Sequence, residues 1–435
     1  MMQVPPGWTN AQVLRRSGEP SADAPLYEQA FFALWVLSTF TVFAGNELIL
    51  YPLALYFLGM FALNRRQLVP IAAKAWPLLL VPILAALSWG WSPSANGALK
   101  FGIMMIMTVL VSIYIGARFA PHQVIRSVFV AGVLIVLLAA PDFISGGGVW
   151  HDKNIFAIRM LVVMVTAMAV AYNSNEIPLL RLAAFPFIPI TFYLIVIADS
   201  ATSLVFALGS FAAMTTVWLF WSGLRNVRHA RSMIVLIVSF AIVAGGLVFS
   251  SMTREANLFE AFVTSLGKDT TLTGRTMLWD AADRITKEKP WFGVGAEGFW
   301  LWGHGQAYTL LELSYKPAGT RFSFHNSYLE TQVHLGLVGL GCLILAVAWS
   351  LMRTVIAWFQ TQTVVRSYFL IISMVVFVSS FTESWMFNVF DTAVMLFYIS
   401  AVLSLVRRDH VHAENARLSV MQDNWAADGL AAGRG

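Results

Sequence analysis

The residues best placed to do chemistry are His325 and Asn326, in a polar stretch (322–327) that runs directly into an apolar segment reaching about Trp358. Histidine is the side chain whose ordinary titration range lets it take or release a proton near neutral pH. Ser327 followed three residues later by Glu330 reads as a capping box, which predicts a helix beginning near Tyr328 with His325 and Asn326 just outside its start. Backbone N–H groups left unpaired there, together with the helix dipole, favour a negatively charged ligand. The pattern suits proton transfer on an anionic substrate at a membrane surface. The alternative is a polar helix start followed by glycines for close helix packing.

An anionic substrate also needs cations. Lys153, Arg159, Arg254, Arg275 and Arg321 are candidates, because a planar guanidinium holds phosphate oxygens two at a time and an ammonium acts as a point charge. Arg159 follows His151-Asp152-Lys153-Asn154 into an otherwise apolar run, where a charge is expensive unless paired. It reads either as a phosphate ligand or as a partner of Asp152 that snorkels to the interface. His151, His304 and His334 are further histidines, and His334 reads equally as a hydrogen-bonded residue between helices. No Asp-x-Asp pair occurs, and Asp280 and Asp283 are most simply the polar face of a surface helix. No metal and no cofactor are therefore expected.

These residues must be positioned by membrane helices. The chain of 435 residues is 58% hydrophobic and 12% charged, with a mean hydropathy of +0.70, more apolar surface than a soluble core can use. About twelve runs approach the roughly 20 residues needed to cross a bilayer: 27–43, 47–63, 75–91, 99–117, 123–143, 155–172, 178–198, 201–221, 232–250, 328–358, 367–381 and 389–406. With a cytoplasmic N-terminus, the segments carrying Arg65, Arg66, Arg118, Arg126, Arg181, Arg353 and Arg366 fall inside, as the positive-inside bias requires. The pI near 9.3 follows from that bias rather than from nucleic acid. The single cysteine, Cys342, excludes a disulfide framework.

The expected layout is a cytoplasmic tail (1–26), a bundle of nine spans (27–250), one large outward loop (251–327), three more spans (328–406) and a cytoplasmic tail (407–435). Connections as long as this loop are usually functional. Within it, Leu278, Ala281, Ala282 and Ile285 recur at helical spacing until Pro290, predicting an amphipathic helix with Arg275 at its N-terminal end. The glycine-mixed aromatic stretch PWFGVGAEGFWLWGHG that follows reads as a loop dipping into the interface.

The spacing His325-Asn326, nine residues, Gly336, two residues, Gly339 resembles the signature of the O-antigen ligase and O-antigen polymerase superfamily. TGR at 273–275, the PWFGVG turn and the single large outward loop before the last three spans extend the resemblance over most of the chain. It implies an all-α polytopic inner-membrane protein of GT-C type that is an inverting, metal-independent glycosyltransferase. Such an enzyme moves O-antigen from undecaprenyl pyrophosphate to a sugar hydroxyl of lipid A core on the periplasmic face, completing lipopolysaccharide. Its partners would be the lipid-linked donor, the lipid A core and membrane lipids. The resemblance makes His325 the catalytic residue and Arg275 and Arg254 pyrophosphate ligands; the reading of the residues themselves adds Arg159, Arg321 and Lys153 as further donor contacts and Asn326, His334 and His151 in support. Relatives commonly carry a Ser-Arg pair where this chain reads Asp199-Ser200-Ala201-Thr202, and Arg159 or Arg321 is the candidate replacement. The alternatives are an O-antigen polymerase, a protein O-oligosaccharyltransferase, or a flippase. A transporter would place polar groups at the midplane, whereas here they gather at one surface.

Overall fold

The computed structural model describes residues 24–41, 45–145, 153–224, 275–300, 305–317 and 322–406, which are helical with no strand among them. The span expected at 232–250, residues 1–23 and 407–435 of the tails, and Arg254, Arg321, His151 and His304 lie outside the described residues.

Apolar runs set most of the helices: α1 Leu26–Phe40, α2 Glu47–Leu63, α3 Arg65–Lys74, α4 Pro77–Leu87, α5 Ala95–Arg118, α6 Pro121–Ile144, α7 Lys153–Tyr172, α8 Pro178–Ala184, α9 Phe187–Ile197 and α10 Ala201–Leu224. Beyond the undescribed segment come α11 Arg275–Glu288, α12 Gly305–Leu313, α13 Ser327–Gln360, α14 Val364–Ser379 and α15 Thr392–Leu403. Six helical spans are long and apolar enough to cross a membrane, or seven if α2 and α3, bent by 100°, count as one. Fewer of the twelve expected spans qualify because α4, α14 and α15 are shorter and the one expected at 232–250 is not among the described residues, whereas the run at 178–198 qualifies despite the break between α8 and α9.

At the centre stands α7, where every residue from 156 to 172 is buried except Arg159. It packs against α6, α9, α10 and α14. Hydroxyls join helices inside this apolar mass: Ser400 meets Thr354 and Ser373 at 2.8 Å each, and Thr166 donates to the Tyr368 hydroxyl at 3.2 Å. Such bonds contribute about 0.6 kcal/mol each on average in lipid, so they orient helices more than they hold them. Arg118 beside Glu28 and Arg126 on Glu176 cluster at the end of the bundle where α5 finishes and α6 begins, opposite the loop.

The loop has its own small core. Leu278, Ala281, Ala282 and Ile285 of α11 are buried, as their spacing predicts, with Val294, Phe299, Leu310 and Phe324, and Val333 ties this cluster to α13. Asp283 pairs with Lys287 on the exposed face of α11.

One helix departs from the sequence reading. The expected single helix from Tyr328 is interrupted at Gly336, whose φ of 67° and ψ of −165° leave the helix. The aromatic loop inserts there by backbone exchange. Val294 and Gly295 donate to the carbonyls of Val333 and His334 at 2.9 and 2.8 Å, while Leu337 and Val338 donate to Pro290 and Trp291 at 2.7 and 3.2 Å. Buried backbone groups need partners, and these four bonds supply those the broken helix cannot. A Cβ on Gly336 would lie 2.2 Å from the Trp291 carbonyl carbon and oxygen, and one on Gly293 2.4 Å from the Val333 oxygen. Glycine at 336 thus serves a loop-to-helix junction rather than helix-to-helix packing.

Candidate active site

A carboxylate unites the candidate residues. Glu383 occupies the turn between α14 and a single 3-10 turn, Trp385–Phe387. Its Oε2 lies 3.0 Å from His325 Nδ1 and its Oε1 2.7 Å from Arg275 Nη2. The three side chains come from the stretch before α13, the first residue of α11 and the turn after α14. All are partly shielded, with 25%, 15% and 20% of the His325, Arg275 and Glu383 side chains exposed.

A carboxylate only accepts hydrogen bonds, so a neutral His325 carries its proton on Nδ1 and presents the Nε2 lone pair away from Glu383. Nε2 has no partner among the described residues. Phe322 packs edge-on to the imidazole, with centroids 5.5 Å apart. His325 itself has a φ of 50°, a left-handed backbone that costs a non-glycine residue of order 1–3 kcal/mol and persists only where the surroundings impose it. A base oriented by a carboxylate through its far nitrogen is the logic of hydrolase triads. Arg275 balances the charge on Glu383, and a guanidinium offers five N–H donors, so others stay available to an anion.

The helix start is arranged differently from the expected capping box. Asn326 is the cap, its Oδ1 accepting from Tyr328 and Leu329 at 3.0 and 3.1 Å. Ser327 begins the helix, donates its hydroxyl to the Glu383 carbonyl, and passes its backbone N–H to Ser380. Glu330 N–H bonds to the Asn326 carbonyl. The first-turn donors are thus all committed, and this helix start is not an open anion site. Arg275 is the cation beside it that remains open to an anion. The Ser327 and Ser380 bonds fasten His325 to the turn that carries Glu383.

Glu330, freed from capping, is buried and accepts from Trp300 Nε1 at 3.0 Å, Phe324 N at 2.6 Å and Ser384 Oγ at 3.1 Å. His334 lies 3.3 Å from it through Nε2, bonds the Gly295 carbonyl at 3.0 Å through Nδ1, and stacks on Phe387. His334 therefore links loop to helix, beside the site rather than in the His325 cluster.

Arg159 and Lys153 stand apart from that cluster. Arg159 donates to the Phe40 carbonyl at 2.8 Å, covers the Phe40 ring and faces Asp391 electrostatically. Lys153 pairs with Asp199 at 2.9 Å, in the break between α9 and α10 where the Ser-Arg pair was missing. Among the described residues, no three of His, Cys, Asp and Glu converge as a metal site would require.

Glu383 escaped the sequence reading. It is the one acidic residue between Arg366 and Asp391, in a short connection on the same side of the bundle as His325. A lone carboxylate in such a turn was the signal.

An all-helical fold with several membrane-length apolar helices and a histidine, a carboxylate and an arginine gathered at one end is that of a polytopic membrane protein with a charged cluster at one end. Residues 186–344 match the family described as O-antigen ligase, a segment that contains Arg275, His325 and the break at Gly336 and ends before Glu383. The chain is also 28% identical over 287 residues to the exopolysaccharide production protein ExoQ of Rhizobium meliloti (strain 1021), an alignment covering 63% of this chain and 64% of that protein. The resemblance to the O-antigen ligase superfamily carried by His325, Asn326, Gly336 and Gly339 is thereby borne out.

Proposed function

We propose that this protein is an inverting glycosyltransferase that moves a polysaccharide from undecaprenyl pyrophosphate to a sugar hydroxyl of lipid A core, at the periplasmic face of the inner membrane. The observation that carries the reading is the 3.0 Å contact of His325 Nδ1 with Glu383, which leaves Nε2 as the base. An acceptor hydroxyl gives its proton to Nε2 as its oxygen bonds to the anomeric carbon. The bond from that carbon to the phosphate oxygen breaks on the opposite face, and the pyrophosphate leaves with its negative charge. Arg275 meets that charge, joined in this reading by Arg254, Arg321 and, from further off, Arg159 and Lys153. General-base assistance of this kind contributes typically 100- to 10,000-fold in rate. The remaining expectations, a GT-C bundle of about twelve spans with cytoplasmic termini, belong to the same proposal.

A second reading gives the chain an O-antigen polymerase's role, in which the acceptor is another lipid-linked glycan. The relative from Rhizobium meliloti, an exopolysaccharide production protein, favours it.

The test is to reconstitute the protein with undecaprenyl-pyrophosphate glycan and lipid A core in EDTA, then follow the mobility of both lipids on gels. Wild type is expected to shift the core, while His325→Ala and Arg275→Ala, folded, do not. Lengthening of the donor glycan alone would select the polymerase. Turnover by His325→Ala equal to wild type would remove the proposed base, and dependence on added metal would contradict the metal-free route.

A further inference from the structure

A cavity of about 230 Å³ adjoins the His325 cluster without including any of its three members. Phe322 forms part of its wall and also packs edge-on to the His325 imidazole, so the cavity opens beside that histidine. Ser323 and Ser384, close in the chain to His325 and Glu383, line it as well.

Its chemistry suits a carbohydrate. The volume is below the 300–1,000 Å³ or so of pockets for drug-sized ligands, which limits it to about one ring. Trp300 and Phe322 offer aromatic faces, whose negative quadrupole attracts the C–H face of a sugar. Trp300 is fixed for this by its indole bond to the buried Glu330 and by packing on Phe324. Asn388 is exposed into the cavity region, its carboxamide without a partner among the described residues, and it can both donate to and accept from hydroxyls.

Charge says which ring. Two carboxylates, Glu297 and Glu330, line the cavity with one histidine, His334, 3.3 Å from Glu330, while no arginine or lysine does. Glu297 is held there on a left-handed backbone with φ 52°. Carboxylates repel a phosphate or a uronate at short range, so the donor pyrophosphate is turned away toward Arg275. We infer that this cavity is the subsite for the acceptor's sugar ring and that it takes a neutral, hydroxyl-rich ring and rejects an acidic one. The assignment to the acceptor rests on the glycosyl-transfer reading.

The test separates the two. Saturation-transfer NMR on full-length His325→Ala protein in detergent, which cannot turn over, is run with the methyl glycosides of glucose, galactose, mannose and glucuronic acid. At least one neutral glycoside is expected to bind and the glucuronide not. Asn388→Ala in that background should weaken the neutral glycoside at least tenfold, and Glu297→Gln should admit the glucuronide. Size-exclusion profiles of the variants confirm that they are folded. Absence of binding by every neutral glycoside, equal binding of the glucuronide, or indifference to Asn388→Ala would each overturn the subsite, even where wild type still transfers lipid-linked glycan in a His325-dependent way. Glycoside binding with no turnover by wild type would instead overturn the transfer reading, and the acceptor assignment with it.

Discussion

Glu383 makes the residue-scale prediction a sharp one. In Glu383→Gln, the amide oxygen stays with Arg275 and the amide N–H group turns to His325. Nδ1 must then accept, the imidazole proton moves to Nε2, and the base is lost with little change of shape. Turnover should fall by about 10²- to 10⁴-fold, with substrate KM nearly unchanged, in line with the effect of a wrong tautomer in triads. Steady-state kinetics on reconstituted protein check this, and a variant with wild-type kcat would show that Glu383 does not orient the ring. His325 was legible in the sequence as a polar residue bordering a long apolar run, and Arg275 as a cation at the start of an amphipathic helix. The bond between them was not, since the carboxylate that joins them comes from a turn more than 50 positions after His325. The cap was misread by one position for a similar reason. Asn326 and Ser327 are both good caps, and the choice was made by Ser380 and Glu383, which claim Ser327.

At the scale of elements, α11 and the long apolar runs were readable because periodicity and length report burial directly. The interruption of α13 was not, because a glycine in a helical run says nothing about what approaches it. Gly336→Ala is expected to cost about 1–3 kcal/mol from backbone strain, and more from the Trp291 carbonyl it would strike. The apparent unfolding temperature in detergent should drop, and protease should cut residues 290–300 faster. Gly341→Ala is the control: an added methyl there meets nothing within 4 Å, so neither measurement should change. Equal behaviour of the two variants would mean that the loop is not held by the break.

For the whole molecule, length fixes where that break sits. At about 1.5 Å per residue, the 24 helical residues after Gly336 extend roughly 36 Å, enough for a hydrocarbon core of about 30 Å. The first turns of α13, with the His325 cluster, then stand above the bilayer. Arg65 and the loop should accordingly face opposite compartments. In a Cys342→Ser background, Lys289→Cys and Lys316→Cys should react with a membrane-impermeant maleimide on intact spheroplasts, and Arg65→Cys only after lysis. The reverse pattern would invert the proposed topology.

The junction at Gly336 also sets an order of events during synthesis. Residues 290–295 enter the membrane machinery ahead of 333–338, so until those follow, the loop has four backbone positions unmatched. The new helix in turn arrives with an interruption it cannot satisfy alone. Each is completed by the other, some 40 positions apart in the chain, and the strained backbone of His325 lies between them. Assembly of the His325 cluster therefore waits for the tenth expected span, and is completed by the Glu383 turn that follows the eleventh. Under the proposed function, a nascent chain halted before that point would carry Arg275 but no assembled base, and half-made copies would be inert.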